Sequence, residues 1–342
     1  MSKVLFILKR RDNFNPEKHS ALGMSTGLYN SAKFMNEIVP NSKMVVVRDN
    51  NDIDREVTLF RPTHVIIEAV WVIPSKFIIL QKLHPKVKWI IRLHSEMPFI
   101  AGESRAMDWI AEYAKFDCIT LACNAPRFMR ETKTYLNAMG LNADEKVIYL
   151  PNFYPQEYKE KHFDKNKDHI DIGCFSAIRP LKNQLLQSIA AIQFANDIGK
   201  KLKFHINSGR IEMNGSPVLN NLKHVFEHLY DAGHELVNHE WTPRKQFLEL
   251  CASMDIGLQV SFSETFNIVG ADLISQGVPL VSSKEIPWAS TLWNADPTDS
   301  DEICKKLHMV YTSPTTNVYL NQMKLTKYTT ETKNIWDKYF GN

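Results

Sequence analysis

Apolar residues gather in short runs along this chain, and between the runs lie longer stretches in which they return every three or four positions. In the first half the runs are VLFIL at 4–8, MVVVR at 44–48, THVIIEAV at 63–70, VKWIIRL at 87–93, CITLA at 118–122 and KVIYLP at 146–151. Runs without strict apolar–polar alternation predict strands buried on both faces, as in a parallel sheet covered by helices. Residues 1–151 are therefore expected to form one Rossmann-like domain. The polar stretch NFYPQEYKEKHFDKNKDH, at 152–169, breaks the pattern and reads as an interdomain connection. The alternation resumes with IDIGCFS at 170–176, KLKFHINS at 201–208, LVNHE at 236–240, IGLQVS at 256–261 and PLVSS at 279–283. Residues 170–317 thus predict a second Rossmann-like domain. Beyond Asp299 the pattern is helical, and 318–342 reads as a closing helix that packs back on the first domain.

Length agrees with this division, since 342 residues exceed what one hydrophobic core comfortably serves. With 44% hydrophobic and 23% charged residues the chain lies in the globular range, which excludes a fibrous repeat or a disordered tail. A net charge of +3 is too small to announce a nucleic-acid binder, although it leaves a local patch open. The apolar run near the N-terminus is too short for a signal-peptide core, and no segment approaches the roughly 18 apolar residues of a membrane helix. Cys118, Cys123, Cys174, Cys251 and Cys304 show neither paired metal spacing nor a disulfide framework. A cytoplasmic location with no integral membrane segment is expected.

Candidate chemistry concentrates in the second half. GCFSAIRPLKNQLLQSIAAI runs from a strand through a loop carrying Arg179, Lys182 and Asn183 into a helix. That places two cations at the C-terminal edge of a parallel sheet, where such sheets bind ligands. Beside a helix N-terminus they make a diphosphate clamp, or else an ordinary solvated loop. In MDIGLQVSFSETFNIVGADLISQGVPLVSS a strand leads to Glu264, then to a helix starting near Phe266 and stopping at Gly277. Glu264 at a helix entrance has the alternative reading of a helix cap. Asp272 stands among Ile268, Val269, Leu273 and Ile274, so a buried carboxylate there needs partners. Sugar hydroxyls would supply them.

This segment resembles the signature of retaining GT-B glycosyltransferases related to family 4, in which two carboxylates are separated by seven residues, as Glu264 and Asp272 are. RPLKN resembles that family's diphosphate clamp, FHINSGR its following strand and glycine turn, and VIYLPNFY its exit from the first domain. The resemblance implies two Rossmann-like domains facing a central cleft, the first binding the acceptor and the second the donor. It implies that Glu264 faces the donor sugar, that Asp272 holds the ribose, and that the backbone of Phe266, Asn267 and Ile268 approaches sugar and diphosphate. His239, Glu240 and Trp241 stand where the family meets the nucleobase. His94, at the end of VKWIIRL, matches a histidine near the reacting sugar, or is structural. Gly23 and Gly27, bracketing Ser25 and Thr26, resemble a loop over the donor phosphates, or form only a turn. Asp272 departs from the family, whose second carboxylate is usually glutamate.

No cofactor is implied beyond a nucleotide-sugar co-substrate, expected to be UDP-linked. Asp-x-Asp pairs at Asp52 and Asp54 and at Asp299 and Asp301 read as helix starts rather than metal ligands. The resemblance implies retention, and the absence of a clear carboxylate nucleophile suggests front-face transfer. For the acceptor, Arg127, Arg130 and Lys133 share one helical face that could meet phosphates or simply be solvated. The segments STGLYNSAKFMNE and RPLKNQ resemble glycosyltransferases of bacterial viruses, which implies a hydroxymethylated base in phage DNA, modified in the host cytoplasm. Glycan or lipid-linked acceptors, a nucleotide-sugar epimerase and a non-catalytic sugar-nucleotide binder are the alternatives.

Overall fold

The computed structural model describes residues 2–10 and 27–341. Gly23, Ser25 and Thr26 of the glycine-containing loop lie outside the described residues. The chain forms two compact units, Met1–Pro155 with Thr329–Asn342, and Gln156–Tyr328.

The first unit is built on six parallel strands: β1 (Val4–Lys9), β2 (Ser42–Val47), β3 (His64–Glu68), β4 (Lys88–Leu93), β5 (Ile119–Cys123) and β6 (Val147–Tyr149). Their order is β2-β1-β3-β4-β5-β6. Neighbouring side chains on a strand point to opposite faces, so each apolar run supplies two cores. Leu5, Ile7, Val65, Ile67, Trp89 and Ile91 meet Ile53, Phe77, Ile110 and Phe128 on one face. Those four come from α2 (Asp52–Phe60), α3 (Lys76–Leu83), α5 (Ala106–Ala114) and α6 (Pro126–Ala138), α4 being the single turn Met97–Ile100. On the other face Val4, Phe6, Ile66 and Ile90 meet Met35 of α1 (Gly27–Ile38), together with Trp336 and Phe340. Trp336 also donates its indole N–H to the Pro151 carbonyl at 2.9 Å.

In the second unit five parallel strands follow the order β11-β10-β7-β8-β9. They are β7 (His169–Gly173), β8 (Lys201–Asn207), β9 (Glu235–His239), β10 (Ile256–Gln259) and β11 (Leu280–Ser282). After α7 (Ala143–Lys146), the covering helices are α8 (Gln184–Asp197), α9 (Ser216–Glu227), α10 (Arg244–Ser253), α11 (Ile268–Ser275) and α12 (Ser300–Thr312). The last helix, α13 (Pro314–Phe340), begins in the second unit and ends in the first. Residues 152–168 carry neither helix nor strand. Part of this stretch is tied to the second unit, with the Lys159 amide donating to Ser275 O at 2.8 Å and Lys161 Nζ to Ala252 O at 2.5 Å.

Both Asp-x-Asp pairs serve helix starts. Asp299 caps α12, accepting the Glu302 amide at 3.0 Å. Asp52 is the first helical residue of α2 rather than its cap, and it accepts the Arg48 amide at 3.0 Å. Gly277 ends α11 with φ +75°, a left-handed conformation that favours glycine. Among the described residues no helix is long and apolar enough to cross a membrane.

Candidate active site

Parallel strands end together, so the segments leaving β7, β8 and β10 emerge at one sheet edge. After β7 the chain makes a single 3₁₀ turn, Pro180–Lys182, and Asn183 adopts φ +59° before α8 begins. Asn183 Nδ2 donates to the Val260 carbonyl at 3.1 Å and to Pro297 O at 2.7 Å. Gln187 donates to Lys182 O at 2.8 Å and accepts the Val260 amide at 2.7 Å. These bonds sew the turn to the end of β10 and bring Lys182 beside Glu264.

Lys182 Nζ pairs with Glu264 Oε1, their side chains only 12% and 7% exposed. The same oxygen accepts from Asn267 Nδ2 at 3.0 Å. Asn267 has φ +61° and caps α11, its Oδ1 accepting the Gly270 amide at 2.7 Å. Glu264 is therefore held by the cap without being it, and α11 starts at Ile268, two residues later than the sequence pattern suggests. Burial pulls the Lys182 ammonium below the ordinary lysine range, and Glu264 opposes that pull. Phe266 is buried at 2%, with its carbonyl accepting from the Trp288 indole at 2.6 Å.

Arg179 Nη1 donates to Glu212 Oε2 at 3.2 Å, and Arg210 pairs with the other oxygen of that carboxylate. Strand-like pairing of Ile178 with Ile211 supports this arrangement, as does the close approach of Gly215, where a Cβ would collide with the Ile178 carbonyl. The Arg210 guanidinium lies 5.9 Å from the Trp241 ring centroid. Among the described residues Arg179 and Arg210 thus pair with Glu212, and Lys182 with Glu264. Cations gathered in this way suit a polyanionic ligand that competes for them. In the sequence FHINSGR is legible as a glycine turn, whereas the pairing of its Arg210 with Glu212 appears only in the fold.

Asp272 is 2% exposed, as its apolar neighbours require. Its Oδ1 lies 2.7 Å from Nη2 of Arg244, the first residue of α10. Arg244 thus supplies a partner for the buried carboxylate where the sequence points to sugar hydroxyls. A further chain crosses the sheet from His239 Nε2 to His205 Nδ1 at 2.8 Å and from His205 Nε2 to Asp171 Oδ1 at 3.0 Å.

The first unit contains its own polar cluster. Glu68 ends β3 and Arg92 lies in β4, both fully buried. Arg92 donates to Glu68 at 3.3 Å, to Pro151 O at 3.1 Å and to Asn152 Oδ1 at 2.5 Å. His94 Nε2 lies 2.5 Å from Glu68 Oε2, and its Nδ1 lies 3.4 Å from Asn124 Nδ2. Ser31 of α1, one turn beyond Gly27, donates to Asn152 at 2.9 Å. The signal for this cluster was present in THVIIEAV and VKWIIRL, each of which carries one charged residue near the end of an apolar run.

Burial lowers the His94 pKa against the pull of Glu68, so the ring favours neutrality. Burial alone would raise the Glu68 pKa, but the Arg92 charge and the hydrogen bonds from His94 and Arg92 bring it below its ordinary value. Burial also lowers His64, His234 and His239. An unfolded histidine gains its proton near pH ~6.5, whereas these folded ones resist it to lower pH. The stability they contribute is present above that value and is lost as pH falls. The urea midpoint is therefore expected to drop between about pH 6.5 and 5. A flat profile across that window would contradict the neutral assignment.

No known family's sequence profile matches the chain, and no curated protein sequence matches it. Solved structures do match over nearly its whole length. The Candida albicans trehalose-6-phosphate phosphatase N-terminal domain aligns with a TM-score of 0.68 and 12% identity, covering 99% of this chain and 96% of that one. An alpha,alpha-trehalose-phosphate synthase (UDP-forming) from Burkholderia vietnamiensis gives 0.68 and 9%, with the same coverages. Anabaena HepE in complex with UDP and glucose gives 0.63 and 11%, covering 99% and 98%. These likenesses show the fold, two parallel-sheet α/β units of the GT-B type with a helical C-terminus.

Proposed function

We propose that this chain is a glycosyltransferase that moves a sugar from a nucleoside diphosphate sugar, with UDP the expected nucleotide, to an acceptor hydroxyl. The observation that carries the reading is the set of Arg179, Arg210 and Lys182, paired with Glu212 and Glu264, at the edge from which β7, β8 and β10 emerge. Cations beside the start of α11 suit a diphosphate leaving group. The UDP named for two of the matched structures agrees with this donor class.

In the proposed reaction the bond between the anomeric carbon and the diphosphate oxygen breaks, and the acceptor oxygen forms the new bond on the same face. The acceptor proton passes to the departing phosphate. Arg179 and Lys182 take up the charge on the diphosphate, assisted by the backbone of Phe266, Asn267 and Ile268 and by the chain at Gly27. Glu264 binds the sugar hydroxyls, Asp272 with Arg244 binds the ribose, and Trp241 lies beside the nucleobase. His94, oriented by Glu68, contacts the sugar. A metal is not needed in this scheme because the protein supplies the cations, and Asp52 and Asp299 are engaged at helix starts.

The proposed acceptor is a hydroxymethylated base in phage DNA, on the resemblance of STGLYNSAKFMNE and RPLKNQ. A base in a duplex would have to leave the stack to react. The face of α6 adds little to this acceptor, since Arg127 is paired with Glu96 at 3.0 Å and Lys133 with Asp144 at 2.6 Å.

Mass spectrometry of a panel of nucleotide sugars with hydroxymethylated DNA, free and phosphorylated sugars and lipid-linked sugars tests the proposal. One pairing is expected to gain a hexose or pentose mass, at a rate unchanged by EDTA, with the donor anomer retained by NMR. Addition to a sugar or lipid would replace the DNA acceptor, and an inverted product would end the retention mechanism. A nucleotide sugar changed without acceptor would identify an epimerase. No change with any pair would leave only a binder.

A further inference from the structure

In the second unit α8 and α12 pack against each other and bring together three side chains that the candidate active site does not use. Asp197 is the last residue of α8. Cys304 and His308 stand four residues apart on α12 and so share one side of that helix. His308 Nε2 lies 3.0 Å from Asp197 Oδ2, and Cys304 Sγ lies 3.6 Å from the same oxygen. One ligand atom from each residue falls within 4.8 Å of the other two. Cys304 is 3% exposed and belongs to the apolar core, whereas the Asp197 and His308 side chains are 46% and 40% exposed. The group therefore has a rigid floor and an open side.

A plain surface ion pair accounts for Asp197 and His308, and such pairs contribute little. It gives no reason for a thiol to converge on the same carboxylate oxygen. We propose that Asp197, Cys304 and His308 form a binding site for a borderline-soft divalent transition-metal ion, with Zn²⁺ the expected occupant, that ties α8 to α12.

Bond lengths of about 2.0–2.3 Å in a tetrahedral zinc site set ligand atoms roughly 3.3–3.8 Å apart. The observed 3.0 and 3.6 Å need only small adjustment. A sulfur and an imidazole among the ligands select zinc-like ions over Mg²⁺ and Ca²⁺, which take oxygen ligands. The C-terminal end of α8 adds the negative end of its dipole, favouring a cation at Asp197. Asp301, one turn before Cys304, acts electrostatically on it, and a water on the open side would take the fourth position. Binding forms the metal–sulfur bond and breaks the S–H bond, and the proton passes to the buffer.

The test uses the full chain stripped of metal and titrated with Co²⁺. A thiolate-to-cobalt charge-transfer band and intense tetrahedral d–d bands are expected, both removed by one equivalent of Zn²⁺. Zn²⁺ is also expected to raise the thermal midpoint. Cys304→Ser should abolish the charge-transfer band. His308→Gln changes a half-exposed position and keeps a planar polar side chain beside the Phe194 ring, and should weaken Zn²⁺ binding by about tenfold or more. Absence of the band overturns the proposal, as does its survival in Cys304→Ser or unchanged Zn²⁺ affinity in His308→Gln. None of these readings depends on glycosyl transfer, so the two proposals can fail separately.

Discussion

Glu264→Ala is expected to lower kcat/KM for the nucleotide-sugar donor by roughly a hundredfold to a thousandfold, the scale seen when one group facing a reacting centre is removed. The substitution should also reduce the stability of the ligand-free protein. It deprives the Lys182 ammonium, 12% exposed, of the carboxylate it pairs with. Removing one member of a buried pair costs about 3–5 kcal/mol. Added UDP should recover much of this loss, because its diphosphate offers Lys182 a new counter-charge, and binding to the folded state stabilises it by mass action. Kinetics and a thermal shift with and without UDP check both halves. Wild-type activity in this variant would remove Glu264 from the site.

The second large effect concerns Arg244. Arg244→Ala takes the guanidinium from a carboxylate that is 3% exposed, and a loss of about 3–5 kcal/mol is expected from urea unfolding at pH 7. That is a large part of the ~5–15 kcal/mol that holds a typical domain folded. Combining it with Asp272→Asn should restore part of the loss, because the second change removes the buried negative charge. Arg244→Lys should fall between wild type and alanine, since an ammonium keeps the charge without the planar fork. An Arg244→Ala variant within about 0.5 kcal/mol of wild type would mean that Asp272 is satisfied elsewhere.

The periodic part of the fold was open to reading because it is local. Every apolar run named from the sequence corresponds to a strand, and the stop at Gly277 follows from a backbone that favours glycine. Position 266 misled by two residues because the cap is Asn267 in a left-handed conformation, a role that its side chain and backbone share. The charged partners were harder to read because each joins residues far apart in the chain. Arg244 meets Asp272 across 28 positions, and Arg179 meets Glu212 across 33. Nothing in periodicity links such pairs. Asp272 stands out in the sequence as a charge inside an apolar helix. The same rule, applied to the strands, would have singled out Glu68 and Arg92.

The last turns of α13 also bear on how the protein is made. Trp336 and Phe340 cover the same apolar face as Val4 and Phe6, at the opposite end of the sequence. A ribosome must therefore make the chain from Val4 through Phe340 before the first unit can complete that core. Until then the nascent sheet keeps an oily face that α1 covers in part, and such surfaces invite aggregation or chaperone capture. Truncation at residue 330 would leave the first unit permanently in that state, so yield in cells should depend on Trp336 and Phe340.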